Sequence, residues 1–176
     1  MRIAISSMSG CGNTTVTTLV SQKLGYEMIN FTFRQLGAEK GYDFKTFCQM
    51  AEDDYNIDRE LDARQVEMAR AVENCVLGSR LAIWMLEEAD LKVYLRASAE
   101  TRASRIFKRE GGSFQQKFQE TERRDANDTA RYKKIYGIDN TKPEEVADLI
   151  IDTDHRTPEE IVALILAEAE KVTRQK

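Results

Sequence analysis

The stretch "RIAISSMSGCGNTTVTTLVSQKLG" (residues 2–25) decides the fold. Residues 2–6 form a short β-branched run that ends in small residues, which predicts a strand feeding a loop. Apolar residues then recur at helical spacing from Val16 to Leu24, and Gly25 follows as a stop, so the spacing predicts a helix over 14–25. A strand, a glycine-rich loop and a helix in this order present backbone N–H groups at a helix N-terminus. That arrangement is what binding of nucleotide phosphates requires.

The loop departs from the G-x-x-x-x-G-K-[ST] pattern at two positions. Ser7 replaces the first glycine and Asn13 replaces the lysine. Thr14 takes the position of the hydroxyl that holds Mg²⁺, and Thr15 can cap the helix. A cation beside the β- and γ-phosphates stabilises phosphoryl transfer, so the missing lysine raises the question of which other cations supply the charge. From these residues alone, a glycine-rich turn without a ligand remains the alternative.

Size and composition exclude several classes of protein. The 176 residues suit one compact domain, and the net charge of -4 argues against a general nucleic-acid binder. Cys11, Cys48 and Cys75 are far apart and His155 is the single histidine, which argues against a zinc site or a disulfide framework; Cys48 and Cys75 are expected in the core. No apolar run reaches the roughly 18 residues of a membrane span, so we expect a cytoplasmic protein without membrane contact.

Further strands and helices alternate along the chain. Short apolar runs predict strands at 26–31, 75–79, 91–97 and 148–153. Helical spacing predicts helices at about 32–40, 44–53, 57–72, 80–89, 100–110 and 114–135, and a last helix that Thr157, Pro158 and Glu160 begin with a capping box. This alternation predicts an α/β fold whose five-stranded parallel sheet has helices on both faces. The polar region at about 108–130, with its paired glycines, is the candidate for a lid.

Arginines recur on one face of two predicted helices. Arg102, Arg105 and Arg109 stand at i, i+3 and i+7, within an arc of about 60° at 3.6 residues per turn. For one such helix taken alone, the alternative to a phosphate-binding face is a solvent-exposed face whose arginines form ion pairs along the helix.

A second polar face has the same spacing. Arg124, Asp128 and Arg131 stand at i, i+4 and i+7, while Arg34 and Arg80 begin other helices. Arg80 directly follows a predicted strand, and ligands of parallel sheets bind at the carboxyl ends of strands. Several arginine groups near one phosphate loop are what two polyphosphate-bearing substrates require.

The chain resembles the P-loop nucleoside monophosphate kinases, and within them the cytidylate kinases, most closely the short archaeal-type branch. The similarity covers essentially the whole chain, and its most distinctive segments are "IDRELDARQ" and "RYKKIYGID". It implies the P-loop kinase fold, with a core of about 1–30, 73–108 and 132–176. It also implies a helical acceptor-binding insertion at about 31–72 and a lid at about 109–131.

The resemblance also implies roles by position. The loop that holds the ATP phosphates corresponds to Ser9, Gly10, Cys11, Gly12, Asn13, Thr14 and Thr15, with Thr14 on Mg²⁺ and Asn13 in the place of the catalytic lysine. The pair that opens the lid and reaches the transferred phosphoryl group corresponds to Arg105 and Arg109. Arg34 and Arg80 match arginines that grip the acceptor's monophosphate. In the pattern matched by Arg124, Asp128 and Arg131, the arginines serve phosphate and base, and the aspartate accepts from the cytosine amino group.

The implied activity is ATP-dependent phosphorylation of CMP or dCMP. ATP with Mg²⁺ is the implied cofactor, small nucleotides are the partners, and we expect a monomer with a dimer left open. Two departures leave alternatives: Gly78 stands where the family has glutamate, and Met28-Ile29-Asn30 replaces Ser-Ala-Gly. The alternatives are a kinase of the same fold that acts on UMP or a non-nucleotide acceptor, and a nucleotide-binding regulator with weak catalysis.

Overall fold

A computed structural model describes residues 1–175, apart from the side chains of residues 45, 48, 52, 53 and 175. The described chain contains five strands: β1 (Arg2–Ser7), β2 (Glu27–Ile29), β3 (Cys75–Gly78), β4 (Leu91–Arg96) and β5 (Leu149–Asp152). Its α-helices are α1 (Asn13–Leu24), α2 (Phe33–Glu39), α3 (Phe44–Asp53), α4 (Asn56–Arg70), α5 (Ala82–Met85), α6 (Ala99–Glu110), α7 (Phe114–Tyr136) and α8 (Pro158–Gln175). A 3₁₀ turn covers Pro143–Glu145.

The strands form one parallel sheet in the order β2-β3-β1-β4-β5. Strand β1 lies at its centre, where Ile3 is opposite Val76 of β3 on one side and Leu91 of β4 on the other. The predicted five-stranded parallel sheet is therefore confirmed. Because every strand runs in the same direction, all five carboxyl ends lie along one edge.

Helices cover both faces of the sheet. Successive side chains of β1 point to opposite faces and so contribute to two different apolar cores. On one face, Ile3 and Ile5 belong to the same apolar core as Val16 of α1 and Ile165 of α8. On the other face, Ala4 belongs to a core formed with residues of α4 and α5, among them Val66, Ala69, Ala82 and Ile83. A third, smaller core joins α2, α3 and α4 through Leu36, Phe47 and Ile57.

Helix α5 is shorter than the sequence predicts. Residues 80–89 were expected to be helical, but the helix covers only Ala82–Met85. Leu86 is fully buried and adopts φ −94° and ψ 74°, outside the helical region, which directs the chain back towards β4. Tertiary packing therefore overrides the local preference for helix here.

Two local predictions are confirmed at helix ends. At the start of α8, the Thr157 N–H donates to Glu160 Oε2 at 2.8 Å and the Glu160 N–H donates to Thr157 Oγ1 at 3.2 Å, which is the predicted capping box. Between α6 and α7, Gly111 and Gly112 have φ of 72° and 92°, which favour glycine. The two helices pack side by side as a hairpin.

The remaining predictions concern the cysteines and membrane segments. Cys75 is fully buried, as expected, whereas the side chain of Cys48 lies outside the described residues. Within residues 1–175, no helix is both long and apolar enough to cross a lipid bilayer.

Candidate active site

A cleft of about 970 Å³ lies at the carboxyl edge of the sheet. It brings together most of the residues that the sequence singled out: Ser9, Gly10, Gly12, Asn13, Thr14, Thr15, Arg34, Arg80, Arg109, Arg124, Asp128 and Arg131. Three are not among its lining residues: Cys11, Arg102 and Arg105.

The loop between β1 and α1 has the backbone shape of a phosphate cradle. Gly10 and Gly12 have φ of 80° and 88°. At Gly10 a Cβ would lie 2.7 Å from the carbonyl oxygen of Arg102, so the loop can approach α6 only without a side chain. Gly12 is the N-cap of α1 and contributes no capping side chain, which leaves N–H groups of the first turn available for an anion. Thr15 is the third helical residue and so does not cap the helix, contrary to the expectation.

Cys11 contributes no reactive thiol to this loop. Its side chain is 2% exposed and packs in the apolar core on the α1 face of the sheet. Burial raises the pKa of the Cys11 thiol to about 11, although Arg102 and Arg105 act in the opposite direction. The thiol is therefore protonated at neutral pH, where it is a poor nucleophile.

The Asn13 side chain faces the sheet. Its Nδ2 donates to the carbonyl oxygens of Ile5, at 3.0 Å, and Ser79, at 3.4 Å, and its Oδ1 accepts from Thr17 Oγ1 at 3.1 Å. A Cβ on Gly78 would lie 2.8 Å from that Oδ1 and even closer to Thr17 Oγ1. The departures at positions 13 and 78 therefore occupy one site, and Asn13 ties α1 to β1 and to the end of β3.

Asp125 is a buried carboxylate that sequence reasoning missed. It is 3% exposed, accepts from Arg80 Nη1 at 3.0 Å and from the Ser9 N–H at 3.3 Å, and forms an ion pair with Arg102, itself 5% exposed. Arg102 Nη1 also donates to the Ser9 carbonyl at 3.3 Å. Asp125 thus connects α7, α6, the phosphate loop and the end of β3. Asp125 lies within the segment "RRDANDTAR", but the sequence does not indicate which arginines it pairs with.

The three arginines of α6 have three different environments. Arg102 is buried against Asp125, whereas Arg105 donates to the carbonyl oxygen of Thr153 at 2.6 Å and to its Oγ1 at 3.0 Å. Arg109 is the most exposed of the three and pairs with Glu110 at 2.6 Å. All three lie on one face of α6, but their guanidinium groups have different partners. Of these three, Arg109 lines the cleft.

The acceptor side of the cleft holds further arginines. Asp128 accepts from Arg80 at 3.0 Å through Oδ2 and from Arg131 at 3.1 Å through Oδ1. Arg34 lies over the ring of Phe44, with its guanidinium carbon 4.2 Å from the ring centre, and Arg124 is exposed. Asp128 therefore holds two of the predicted phosphate-binding arginines side by side.

Three polar residues of α4, Asp58, Asp62 and Gln65, also line the cleft and were not singled out beforehand. They are between 3% and 7% exposed. Their spacing of i, i+4 and i+7 within "IDRELDARQ" is the same pattern that identified the polar face of α7, so this signal was available.

Two contacts join this helix to α7. Asp58 Oδ2 pairs with Arg131 Nε at 3.0 Å, and the Tyr136 hydroxyl donates to Asp62 Oδ2 at 2.8 Å. Burial raises the pKa of Asp62 to about 6, which the hydrogen bond from Tyr136 partly offsets. The two segments that carry the family resemblance therefore meet in the cleft.

The cleft fits Mg²⁺ that arrives with a nucleotide. The described residues contain no group of three or more histidine, cysteine, aspartate or glutamate side chains that could hold a metal ion. Thr14, however, is exposed in the cleft at the start of α1. Mg²⁺ in phosphate-transfer sites keeps several waters and phosphate oxygens and takes few protein ligands, so one hydroxyl is compatible with it.

The fold resembles solved kinases at low sequence identity. Shikimate kinase from Bacteroides thetaiotaomicron superposes with a TM-score of 0.64 at 16% identity, covering 97% of this chain and 98% of that one. Deoxyadenosine kinase from M. mycoides with bound dATP gives a TM-score of 0.56 at 22% identity, covering 97% and 100%. At these identities the likeness shows the fold alone.

Sequence relatives are much closer. "Cytidylate kinase 2" of Borreliella afzelii is 42% identical over 174 residues, covering 97% of both chains. "Cytidylate kinase" of Archaeoglobus fulgidus is 42% identical over 172 residues, covering 97% of this chain and 95% of that one. The family model described as "Cytidylate kinase-like family" matches residues 2–155. The chain belongs to the cytidylate kinase-like family.

Proposed function

We propose that the protein transfers the γ-phosphoryl group of ATP to CMP or dCMP, giving ADP and CDP or dCDP. The proposal rests on one observation. A single cleft combines a glycine-rich loop at the N-terminus of α1, which has no side-chain cap, with arginines of four different segments and the buried carboxylates of α4. The names of the two relatives above support the same activity.

The donor half of the reaction uses the loop and α6. First-turn N–H groups of α1 bind the β- and γ-phosphates. Thr14 would hold Mg²⁺, which would neutralise charge on those phosphates. Asn13 keeps α1 in place against β1 and β3 through its hydrogen bonds to Ile5 and Ser79. Arg109, exposed in the cleft and on the helix that leads into the lid, supplies the positive charge that the lysine would otherwise bring.

The acceptor half uses the arginines that Asp128 organises. Arg80 and Arg131, 3.0 and 3.1 Å from that carboxylate, lie ready to bind the monophosphate together with Arg34. A phosphate monoester has a second pKa near ~6 and is mostly dianionic at neutral pH, so no general base is required. Positioning and charge neutralisation account for catalysis.

The hairpin of α6 and α7 serves as the lid. The left-handed backbone of Gly111 and Gly112 gives the chain a turn between two helices that line the cleft. Closure of this hairpin brings Arg109 to the transferred group and excludes water, which limits hydrolysis of ATP.

A panel of acceptors tests the proposal. Formation of ADP from Mg²⁺-ATP is measured with CMP, dCMP, UMP, AMP and GMP at equal concentrations. We expect kcat/KM for CMP or dCMP to exceed that for each of the other nucleotides. Equal rates across the panel would contradict the assignment of the acceptor. A thermal shift with ATP but no turnover with any acceptor would indicate a binding protein instead.

A further inference from the structure

The base of a cytidine nucleotide differs from uracil in one hydrogen-bonding group. Cytosine carries an amino group, a donor, where uracil carries a carbonyl oxygen, an acceptor. A protein that prefers CMP to UMP therefore needs an acceptor that faces this position. A buried carboxylate is the most discriminating acceptor, because the wrong base leaves it unpaired against another oxygen.

Four carboxylates line the cleft: Asp58, Asp62, Glu120 and Asp128. Asp128 has Arg80 on one oxygen and Arg131 on the other. Asp58 Oδ2 is paired with Arg131, and Glu120 lies on the exposed side of α7, 3.1 Å from Lys117. None of these three is left without a cation.

Asp62 differs from the others. It is 7% exposed, and the contact it makes within the described chain is the hydrogen bond from the Tyr136 hydroxyl to Oδ2. Among the side chains that the structure describes, none donates to its Oδ1. A carboxylate oxygen in a cleft that no side chain pairs with is satisfied by water or by a bound ligand that donates a hydrogen bond.

We propose that Asp62, oriented by Tyr136, is the residue that reads the base of the acceptor by accepting from the amino group of cytosine. This inference rests on the proposed function and refines it. It gives Asp128 the separate task of holding Arg80 and Arg131 for the phosphate, whereas the family resemblance assigned the base to Asp128. The two assignments predict different results for two isosteric variants.

Asp62→Asn and Asp128→Asn form the matched pair for the test. Dissociation constants of CMP and UMP are measured by calorimetry for the wild type and both variants, so that the result does not depend on turnover. In Asp62→Asn, we expect the preference for CMP to fall by about 10- to 100-fold, the usual worth of a hydrogen bond to a charged group. In Asp128→Asn, we expect both nucleotides to bind more weakly with their ratio unchanged.

The dependence on pH is a second readout. The groups that face Asp62 are Asp58 on its own helix, and Arg131 and Tyr136 on α7. With a pKa of about 6, Asp62 takes up a proton as the pH falls from 8 to 5, and the protonated carboxyl also suits the uracil oxygen. The preference of the wild type for CMP therefore decreases over this range, while that of Asp62→Asn stays flat. Ionisation of the phosphate affects both nucleotides alike and cancels in the ratio.

The outcomes separate this inference from the proposed function. An unchanged CMP preference in Asp62→Asn, or a loss of preference confined to Asp128→Asn, would overturn the role of Asp62 and leave the kinase activity intact. Selective binding of CMP that depends on Asp62, without phosphoryl transfer, would support the base reader and contradict the kinase. A wild type that binds CMP and UMP equally would overturn the inference directly.

Discussion

At the scale of single residues, Asn13 and Gly78 are two parts of one arrangement. Asn13 replaces the lysine of the phosphate loop, and its amide hydrogen-bonds to the ends of β1 and β3 and to Thr17. Gly78 leaves the space that the Asn13 and Thr17 side chains fill. A side chain at position 78 therefore conflicts with the asparagine, and each departure from the family pattern makes room for the other.

Gly78→Ala tests this packing. The new Cβ would meet Thr17 Oγ1 and lie 2.8 Å from Asn13 Oδ1, so we expect a loss of about 1–3 kcal/mol in the free energy of unfolding, measured in urea. Ser79→Ala at the next position is the control and should change stability little. Removing the clashing atoms with Thr17→Ala should make the double variant less unstable than the two single effects added together. Full additivity would contradict the account.

Asp62→Asn should stabilise the protein in a manner that depends on pH. The folded pKa of about 6 lies above the ordinary value of 3.8, so between these values the native state holds a proton that the unfolded chain releases. Stability therefore falls as the pH rises through this window, and a shift of about two units costs up to ~3 kcal/mol at neutral pH. We expect the variant to exceed the wild type by about 1–3 kcal/mol at pH 7 and to equal it near pH 4, in urea unfolding. A variant less stable at pH 7 would refute the burial argument.

Sequence patterns located much of the site but could not describe its contacts. Helical spacing singled out Arg109 and Arg131, and positions at helix starts singled out Arg34 and Arg80. All four line one cleft, because the carboxyl ends of parallel strands lie along one edge of the sheet. The burial of Arg102 was not predictable, since it depends on Asp125, 23 residues away, packing against it. Partners across elements are set by the docking of helices, which short-range spacing does not contain.

At the scale of elements, the ion pairs of Asp125 fasten α7 to α6 and the phosphate loop. Asp125→Ala would leave the buried guanidinium of Arg102 without its buried partner, and we expect a loss of about 3–5 kcal/mol in the free energy of unfolding. Glu122→Ala is the matched control, because Glu122 contacts the same arginine from a side chain that is 49% exposed. Its removal should cost less than ~1 kcal/mol. Similar losses in both variants would show that burial does not decide the strength of these pairs.

The end of α6 offers a test of the lid. Arg109 has a side chain that is 68% exposed, so Arg109→Ala should leave the fold intact. We expect kcat to fall by more than ~100-fold, since the variant lacks the charge that reaches the transferred group. Lys108→Ala, which removes an exposed cation from the adjacent position, should retain turnover near that of the wild type. Near-normal turnover in Arg109→Ala would remove Arg109 from the mechanism.

The strands and long helices were predictable from the sequence because periodicity and caps define them locally. The capping box at Thr157 and the glycine stop after Leu24 both lie where the residues indicated. The predicted helix at 80–89 was wrong in its length. Leu86 is fully buried, and its backbone conformation is set by the return of the chain to β4.

At the scale of the whole molecule, α7 runs unbroken from the lid to the acceptor pocket. Its N-terminal half packs in the hairpin with α6, and its C-terminal half carries Asp128, Arg131 and Tyr136. We expect CMP alone, without ATP, to slow hydrogen exchange of the backbone amides at 114–122, measured by mass spectrometry. Protection confined to 124–136 would show that the two halves respond separately.

The unbroken course of α7 has a consequence for how much ATP is hydrolysed without an acceptor. Its 23 residues, at 1.5 Å per residue, make a rod of about 34 Å with one end beside the lid hinge and the other against Asp62. We therefore expect a bound acceptor that orders one end of α7 to order the other end as well. When the acceptor is scarce, we expect little hydrolysis of ATP by the protein. Water in the empty pocket does not order α7 as a bound nucleotide does.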